Sequence, residues 1–358
     1  PVVNKFIIRN NFNHFKSTSF SKKYLKEVIT SGSTGLPFKI LIDKNKINRN
    51  TADTIYFLKK NNFRIGQKLA YLKIWNKVNH KSFLNRLFEN IIPISVLNLS
   101  DQNIDKILHQ LSSYNEEIGI LGYPSALESL AKYINENNIN IRFKTISITT
   151  QSEALDVIAK EQIERAFHCQ VCSRYSSVEA GIIAQQLPEE TNYTINSVSY
   201  FVEILALESD DRLQDGELGR IVITDYYNFA MPLIRYDTGD LGIKNKINTT
   251  EGNKEIFTII EGRKMDTIYN TKGDIVSSFI LTNGMWNYSE LLQYQFIQLK
   301  KKKYLFKLNI NKNFYRESEL IEEYKGYLGL DAEIIIEFVN EIPLLESGKR
   351  KKVMSLLE

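Results

Sequence analysis

Residues 118–128 read Ile118-Gly119-Ile120-Leu121-Gly122-Tyr123-Pro124-Ser125-Ala126-Leu127-Glu128. A short apolar run, a Gly-Tyr-Pro break and the opening of a helix follow one another within this stretch. Ile118 to Leu121 fits a buried strand. Ser125 with Glu128 three residues on has the spacing of a capping box at a helix start. The unit repeats downstream, with a strand expected over Thr145 to Thr149 and a helix that gathers Leu155, Ile158, Ala159, Ile163, Ala166 and Phe167 on one face. A third strand is expected from Gln170 to Arg174. Strands alternating with amphipathic helices predict parallel βαβ units. In such sheets ligands bind beyond the carboxyl ends of the strands, so Gly122 to Pro124, Thr150 to Glu153 and Tyr175 to Glu179 should converge on one site.

Further along, Tyr200 to Ile260 changes to strands separated by turns such as Asp215-Gly216-Glu217 and Thr238-Gly239-Asp240, which predicts a β-rich subdomain. After Gly262-Arg263 come shorter mixed elements, a lysine run at Lys300 to Lys303, a strand from Glu333 to Phe338 and a basic tail. A domain boundary is expected near Arg263. The fold class is α/β: a large N-terminal domain with a β-rich subdomain, then a smaller α+β domain.

The 358 residues exceed one ordinary hydrophobic core and suit a large domain with a smaller one. Hydrophobic residues at 43% and charged residues at 25% describe a folded globular chain. A net charge of +4 is too weak to argue for nucleic acid but suits small anionic ligands. No apolar run approaches the ~20 residues of a membrane-spanning helix, Ile91 to Leu99 being the longest candidate. Two cysteines make no disulfide framework, so a cytoplasmic setting is expected. The chain starts at Pro1 with no signal-peptide layout, and some N-terminal sequence is expected to be missing.

Chemistry concentrates in a few segments. Thr30-Ser31-Gly32-Ser33-Thr34-Gly35-Leu36-Pro37 follows the apolar pair Val28-Ile29. Its glycines let the backbone approach phosphate closely, and its hydroxyls and free N–H groups supply donors. No Lys follows the second glycine, so it is not a Walker loop. Tyr175-Ser176-Ser177-Val178-Glu179 places a carboxylate, a hard oxygen ligand, after a strand. Met231 to Asp240 reads Met-Pro-Leu-Ile-Arg-Tyr-Asp-Thr-Gly-Asp and ends on an acid able to accept from two hydroxyls. Gly262-Arg263-Lys264-Met265-Asp266 and Ile342 to Lys349 complete the set.

In this order the segments resemble the phenylacetate-CoA ligase and capsular-polysaccharide-biosynthesis (CapK-like) branch of the acyl-adenylate-forming superfamily, over about Thr30 to Lys349. The resemblance implies an adenylate-forming (AMP-binding) core over residues 1–262 and a mobile lid over 263–358. It implies that Thr30, Ser31, Gly32, Ser33, Thr34 and Gly35 wrap the ATP phosphates, that Ser152 and Glu153 meet the adenine, and that Tyr175 and Ser176 belong to the nucleotide site. It further implies that Glu179 holds magnesium, Asp240 the ribose and Arg263 the nucleotide, while Lys349 stabilises charge as carboxylate meets α-phosphate. Tyr123 is a candidate wall of the acyl pocket.

Three positions depart from the family pattern: Ser176 stands for a glycine, Val178 for a hydroxyl residue and Met265 for an acidic hinge residue. The implied partners are a small carboxylic acid, ATP with Mg2+, and CoA or a carrier protein; neither nucleic acid nor membrane is expected. Two alternatives stay open: an adenylating enzyme of surface-polysaccharide synthesis with a non-CoA acceptor, and a catalytically impaired nucleotide-binding scaffold. Cys169 and Cys172 with His168 beside them are read as structural, because no second ligand pair is near and Ala180 to Asn196 holds neither Cys nor His. His14, His80 and His109 are given no role.

Overall fold

The structure is a computed structural model describing residues 1–30, 38–73, 75, 89–96, 99–114, 116–155, 157–250, 252–263, 268–273, 275–276, 281, 285, 288, 290–310, 314–343 and 351–357. The chain divides into two compact units, one of residues 1–155 with 159–260 and one of 156–158 with 261–358.

In the first unit β1 (Lys26–Thr30) and β2 (Phe38–Ile42) form an antiparallel pair that closes with Thr30 opposite Phe38. The helix Lys44–Lys60 follows, its start fixed by Asp43, whose Oδ1 accepts from Lys46 N at 2.9 Å. The large sheet contains β3 (Lys68–Lys73), β4 (Ile91–Ser95), β5 (Glu117–Gly122), β6 (Lys144–Gln151), β7 (Val171–Ser177), β8 (Gly181–Gln186) and β9 (Tyr193–Ile195). It continues through β10 (Tyr200–Leu205), β11 (Leu218–Asp225), β12 (Tyr236–Thr249) and β13 (Gly252–Arg263). Among the described residues the order across it is β10-β11-β12-β13-β9-β8-β7-β6-β5-β3-β4. From β4 to β7 every pairing is parallel, as the strand and helix alternation in the sequence requires. The meander β10-β11-β12 is antiparallel and realises the expected β-rich part.

Helices Asp101–Ser112, Pro124–Glu136 and Val157–Phe167 lie along the parallel half. The middle one buries Ala126, Leu127, Leu130, Ala131 and Ile134, spacings that keep one stripe on the sheet. These residues join Ile118, Ile120, Ile148, Ile163 and Phe167 in one apolar cluster. A second cluster packs the β1-β2 pair against Ile183, Val202, Ile221, Ile223 and Tyr236.

Three local expectations are corrected. Ser125 does not cap its helix, because Pro124 takes the first helical position and Tyr123 precedes it at the cap, leaving Ser125 inside the first turn. The third strand does not end at Arg174; Tyr175, Ser176 and Ser177 continue β7, because β8 folds back and pairs with them. Thr238-Gly239-Asp240 is not a free turn but a bulge inside β12, where the partner register jumps between Arg220 and Val222 and Gly239 takes φ +84°.

The second unit has a sheet in the order β18-β17-β16-β19, from β16 (Leu291–Lys300), β17 (Lys303–Ile310), β18 (Glu333–Phe338) and β19 (Val353–Ser355). The short pair β14 (Ile268–Tyr269) and β15 (Ile275–Val276) and the helix Glu317–Leu328 complete it. Phe296, Tyr304, Phe306, Leu320 and Tyr324 fill its core. The lysine run forms the β16-β17 turn and is exposed, with Lys302 paired to Asp331 at 2.7 Å and Lys303 to Glu333 at 2.7 Å. No described helix is long and apolar enough to cross a membrane.

Candidate active site

The carboxyl ends of β5, β6 and β7 run level, with Gly122 opposite Thr150 and Gln151 opposite Arg174. Beyond β6 the chain turns sharply at Ser152, which takes φ +73°, a left-handed conformation that favours glycine. The turn delivers Glu153 to the start of the preceding helix, Pro124–Glu136, where its Oε2 accepts from Ser125 N at 3.0 Å and its Oε1 from Ser125 Oγ at 3.1 Å. Glu153 thus supplies the acceptor that local spacing had assigned to Ser125, and its negative charge suits a helix start. Tyr123 packs against the apolar cluster under the helices.

At the end of β7 the chain turns through 178–180 into β8. Gly181 makes this possible, with φ +97° and Asn50 Oδ1 only 2.6 Å from where a β-carbon would stand. Glu179, on this turn, is 2% exposed. Its Oε1 lies 2.7 Å from Lys5 Nζ and accepts from the Tyr236 hydroxyl at 2.9 Å. Burial alone pushes its carboxyl up, but the Lys5 ammonium and the Tyr236 hydrogen bond outweigh it and hold the carboxyl below its ordinary value. Burial and the adjacent Glu179 charge push the Tyr236 phenol up, so it stays a donor. Lys5 reaches this place because the N-terminal strip pairs with β12: Val3 N donates to Arg235 O at 3.0 Å and Asp237 N to Val3 O at 2.8 Å. Asn4 then caps the short helix Lys5–Asn10 through Ile7 N at 2.9 Å.

Tyr175 and Asp240 meet directly. The phenol donates to Asp240 Oδ2 at 2.7 Å and lies 3.2 Å from Thr238 Oγ1, while Asp240 N donates to Thr238 Oγ1 at 3.2 Å. Burial and the Asp240 charge raise the Tyr175 phenol well above its usual range, keeping its proton in place. Ser176, opposite Ile182 on β8, is half-buried beside them. Beneath the Glu179 turn lies a buried ionic network in which Lys46 Nζ is 2.7 Å from Asp225 Oδ2 and donates to the Tyr200 hydroxyl at 2.8 Å. That hydroxyl in turn donates to Ala180 O, next to Glu179.

Thr30 ends β1 and Arg263 ends β13, with only their backbones described. Ser31, Gly32, Ser33, Thr34, Gly35, the hinge residues from Lys264 and Lys349 lie outside the described residues. Cys172 donates to Asn61 Oδ1 at 3.2 Å, and burial pushes the Cys172 thiol up to about 12 and the Cys169 thiol to about 11, so neither is a ready nucleophile. Among the described residues no three His, Cys, Asp or Glu side chains form a group that could hold a metal by themselves. A lone carboxylate such as Glu179 does fit magnesium carried by nucleotide phosphates, since that ion takes one or two protein carboxylates and fills its remaining positions with phosphate and water.

Sequence reading did not single out Lys5, Tyr236 or Arg174 as site residues. Tyr236 and Arg174 lie within or beside quoted motifs, and a charged residue in the run Val171-Cys172-Ser173-Arg174 was a visible signal. Lys5 carries no local signal, because only the pairing of Val3 with β12 brings it to Glu179.

Residues 268–355 match the CapK C-terminal domain. Protein CapK of Staphylococcus aureus is 26% identical over 368 residues, covering 98% of this chain and 78% of that protein. Among solved structures, 2-hydroxyisobutyryl-CoA ligase in the postadenylation state with 2-HIB-AMP has a TM-score of 0.77 at 14% identity, over 99% of this chain and 79% of the other. ATP-bound MatB from Rhodopseudomonas palustris has a TM-score of 0.64 at 14% identity, over 91% of this chain and 66% of the other. The chain is thus a homologue of protein CapK, with a CapK C-terminal domain at residues 268–355, on the fold of the adenylate-forming ligases.

Proposed function

We propose that the protein activates a carboxylic acid with ATP, forming an acyl-adenylate and pyrophosphate, and then passes the acyl group to CoA. The observation that carries this reading is the meeting of Tyr175 with Asp240 at 2.7 Å beside the buried Glu179 turn. In this reading two motifs, one bringing Tyr175 and Glu179 and the other Asp240, form the ribose and metal side of one nucleotide site. Residues 1–262 form the adenylating core in this reading and 263–358 its lid.

Thr30 to Gly35 cradle the phosphates, Ser152 and Glu153 border the adenine, Tyr175 and Ser176 line the nucleotide, Asp240 takes the ribose hydroxyls and Arg263 closes on the nucleotide. Glu179 would hold magnesium, which neutralises phosphate charge when bound. A carboxylate oxygen of the acid attacks the α-phosphorus, the bond to the β-phosphate oxygen breaks, and pyrophosphate leaves. Lys349 supplies an ammonium between the two anionic reactants, where their repulsion is greatest. Lys5 has to share or release Glu179 Oε1 when the nucleotide arrives, so the buried carboxylate is kept ionised and compensated until then.

A second reading keeps the adenylation step but delivers the acyl group to a sugar or carrier protein, and the CapK C-terminal match over 268–355 favours it. Pyrophosphate release from ATP and Mg2+ across aryl, fatty and amino acids tests adenylation. Release that depends on one acid class and collapses in Lys349→Ala is expected. Thioester formation with added CoA then separates the two acceptors. If no acid gives release from a protein that binds ATP, a nucleotide-binding scaffold is favoured instead.

A further inference from the structure

Arg174 is 6% exposed, yet no acid pairs with it among the described residues. Its Nε donates to Gln185 Oε1 at 2.7 Å, and Gln185 is itself held by Phe57 O at 3.3 Å, so the guanidinium plane is fixed. Its Nη2 is buried with no hydrogen-bond partner among the described residues. Burial pushes the group down to about 10, which still leaves it charged at neutral pH. An unpaired buried cation is costly, and such a cost is retained where a bound anion offsets it.

A second free donor faces the same region. Gln151, the register partner of Arg174, donates from its amide to the Tyr71 hydroxyl at 2.8 Å. The phenol therefore accepts there, and its own proton has no acceptor among the described residues. Burial raises the Tyr71 phenol, against the Gln151 hydrogen bond and the Arg174 charge, so it remains protonated and lies within electrostatic reach of Arg174. Lys73, two residues along β3 on the same face, holds its ammonium 4.9 Å from the Tyr71 ring centroid and 4.3 Å from that of Trp75. A guanidinium and a phenol O–H make a pair of donors suited to a carboxylate. Tyr71 and Gln151 are half-buried rather than sealed. Arg174 directly precedes Tyr175 at the ligand-binding ends of the parallel strands.

We infer that Arg174 and Tyr71 receive a second carboxylate of the acid, so that the substrate class is a dicarboxylic acid. This rests on the adenylation reading above.

The test uses the full chain with ATP and Mg2+ and acid pairs that differ by one terminal carboxylate: butanoate with butanedioate, pentanoate with pentanedioate, and phenylacetate with carboxymethylbenzoate. Pyrophosphate release is measured for wild type, Arg174→Met and Tyr71→Phe. Wild type is expected to prefer the dicarboxylate in at least one pair. The diacid-to-monoacid ratio of kcat/KM is expected to fall by roughly 100-fold in Arg174→Met and about 10-fold in Tyr71→Phe, mainly through KM. The melting temperature of Arg174→Met should not drop, since an uncompensated buried charge is removed.

A wild type that prefers monoacids, with a ratio unmoved in either variant, overturns the inference while leaving adenylation standing. Equal losses on both members of each pair mean that the two residues grip the reacting carboxylate, and also overturn it. A lowered melting temperature in Arg174→Met with an unchanged ratio in Tyr71→Phe assigns the guanidinium a structural role and overturns it as well. No release with any acid removes the adenylation reading and this inference together.

Discussion

Lys5 Nζ and Glu179 Oε1 stand 2.7 Å apart, joining the first helix of the chain to a turn at the far end of β7. The ammonium is 30% exposed and the carboxylate 2%, so one partner can leave for water while the other cannot. Lys5→Met should therefore destabilise the protein by about 1–3 kcal/mol, the cost of a buried charge left with one hydrogen bond from Tyr236. The folded pKa of Glu179 is depressed, so its contribution is present above the ordinary value of 4.5 and lost as pH falls through the folded value. In Lys5→Met the depression shrinks, and acid unfolding should begin at higher pH. Urea denaturation across an acidic pH series reads both effects, and overlapping curves for the two proteins would dismiss the pairing.

The Tyr175 phenol holds one oxygen of Asp240 in place. Asp240→Asn should raise the KM for ATP by about 10-fold or more, and Tyr175→Phe by only a few-fold, as expected for losing one charge-assisted hydrogen bond of about 1.5–3 kcal/mol partly replaced by water. Initial rates of pyrophosphate release against ATP concentration decide it. An unchanged KM in Asp240→Asn removes this residue from the ribose site.

Lys46 is fully buried, and burial lowers its pKa while Asp225 raises it back in part. Lys46→Met strands the Asp225 carboxylate and should cost about 3–5 kcal/mol. The double replacement Lys46→Met with Asp225→Leu should recover much of that loss, because no lone charge remains. Chemical denaturation of the three proteins supplies the cycle, and a double variant as unstable as the sum of the singles argues against the pair.

Glu153 closes the start of the helix Pro124–Glu136 from another segment. Glu153→Ala should lose about 1–2 kcal/mol and Glu153→Gln less, since the amide keeps an acceptor but not the charge. Thermal melts that rank alanine and glutamine together would place the effect elsewhere.

The parallel half of the fold was legible because Ile118 to Leu121 and Thr145 to Thr149 are short apolar or β-branched runs between helices with a clear stripe. The strand Glu333–Phe338 was read in full. Contacts made over distance were not legible. Local spacing pointed to Ser125 as a cap, but Pro124 fits the first helical position better and the acceptor arrives from Glu153. The third strand was expected to stop at Arg174 because a strand gives no local sign of the partner that will extend it, here β8. Motif order pointed to Tyr175, Glu179 and Asp240, whereas the companions of Glu179 depended on tertiary pairing for Lys5 and on hydrogen-bond geometry for Tyr236.

The bulge in β12 carries a rule of parity. From Arg220 to Val222 the chain advances two residues, while opposite them it advances four, from Leu241 back to Asp237. The excess is even, so the alternation of faces resumes in phase, with Tyr236 opposite Ile223 before the bulge and Leu241 opposite Arg220 after it. Removing a single residue at Thr238 to Asp240 would invert every later side chain of the strand, moving Leu241 and Ile243 together to the opposite face. Length variation at this loop is therefore tolerated in pairs, and any transplant of the Asp240 site into another sheet has to carry an even number of extra residues.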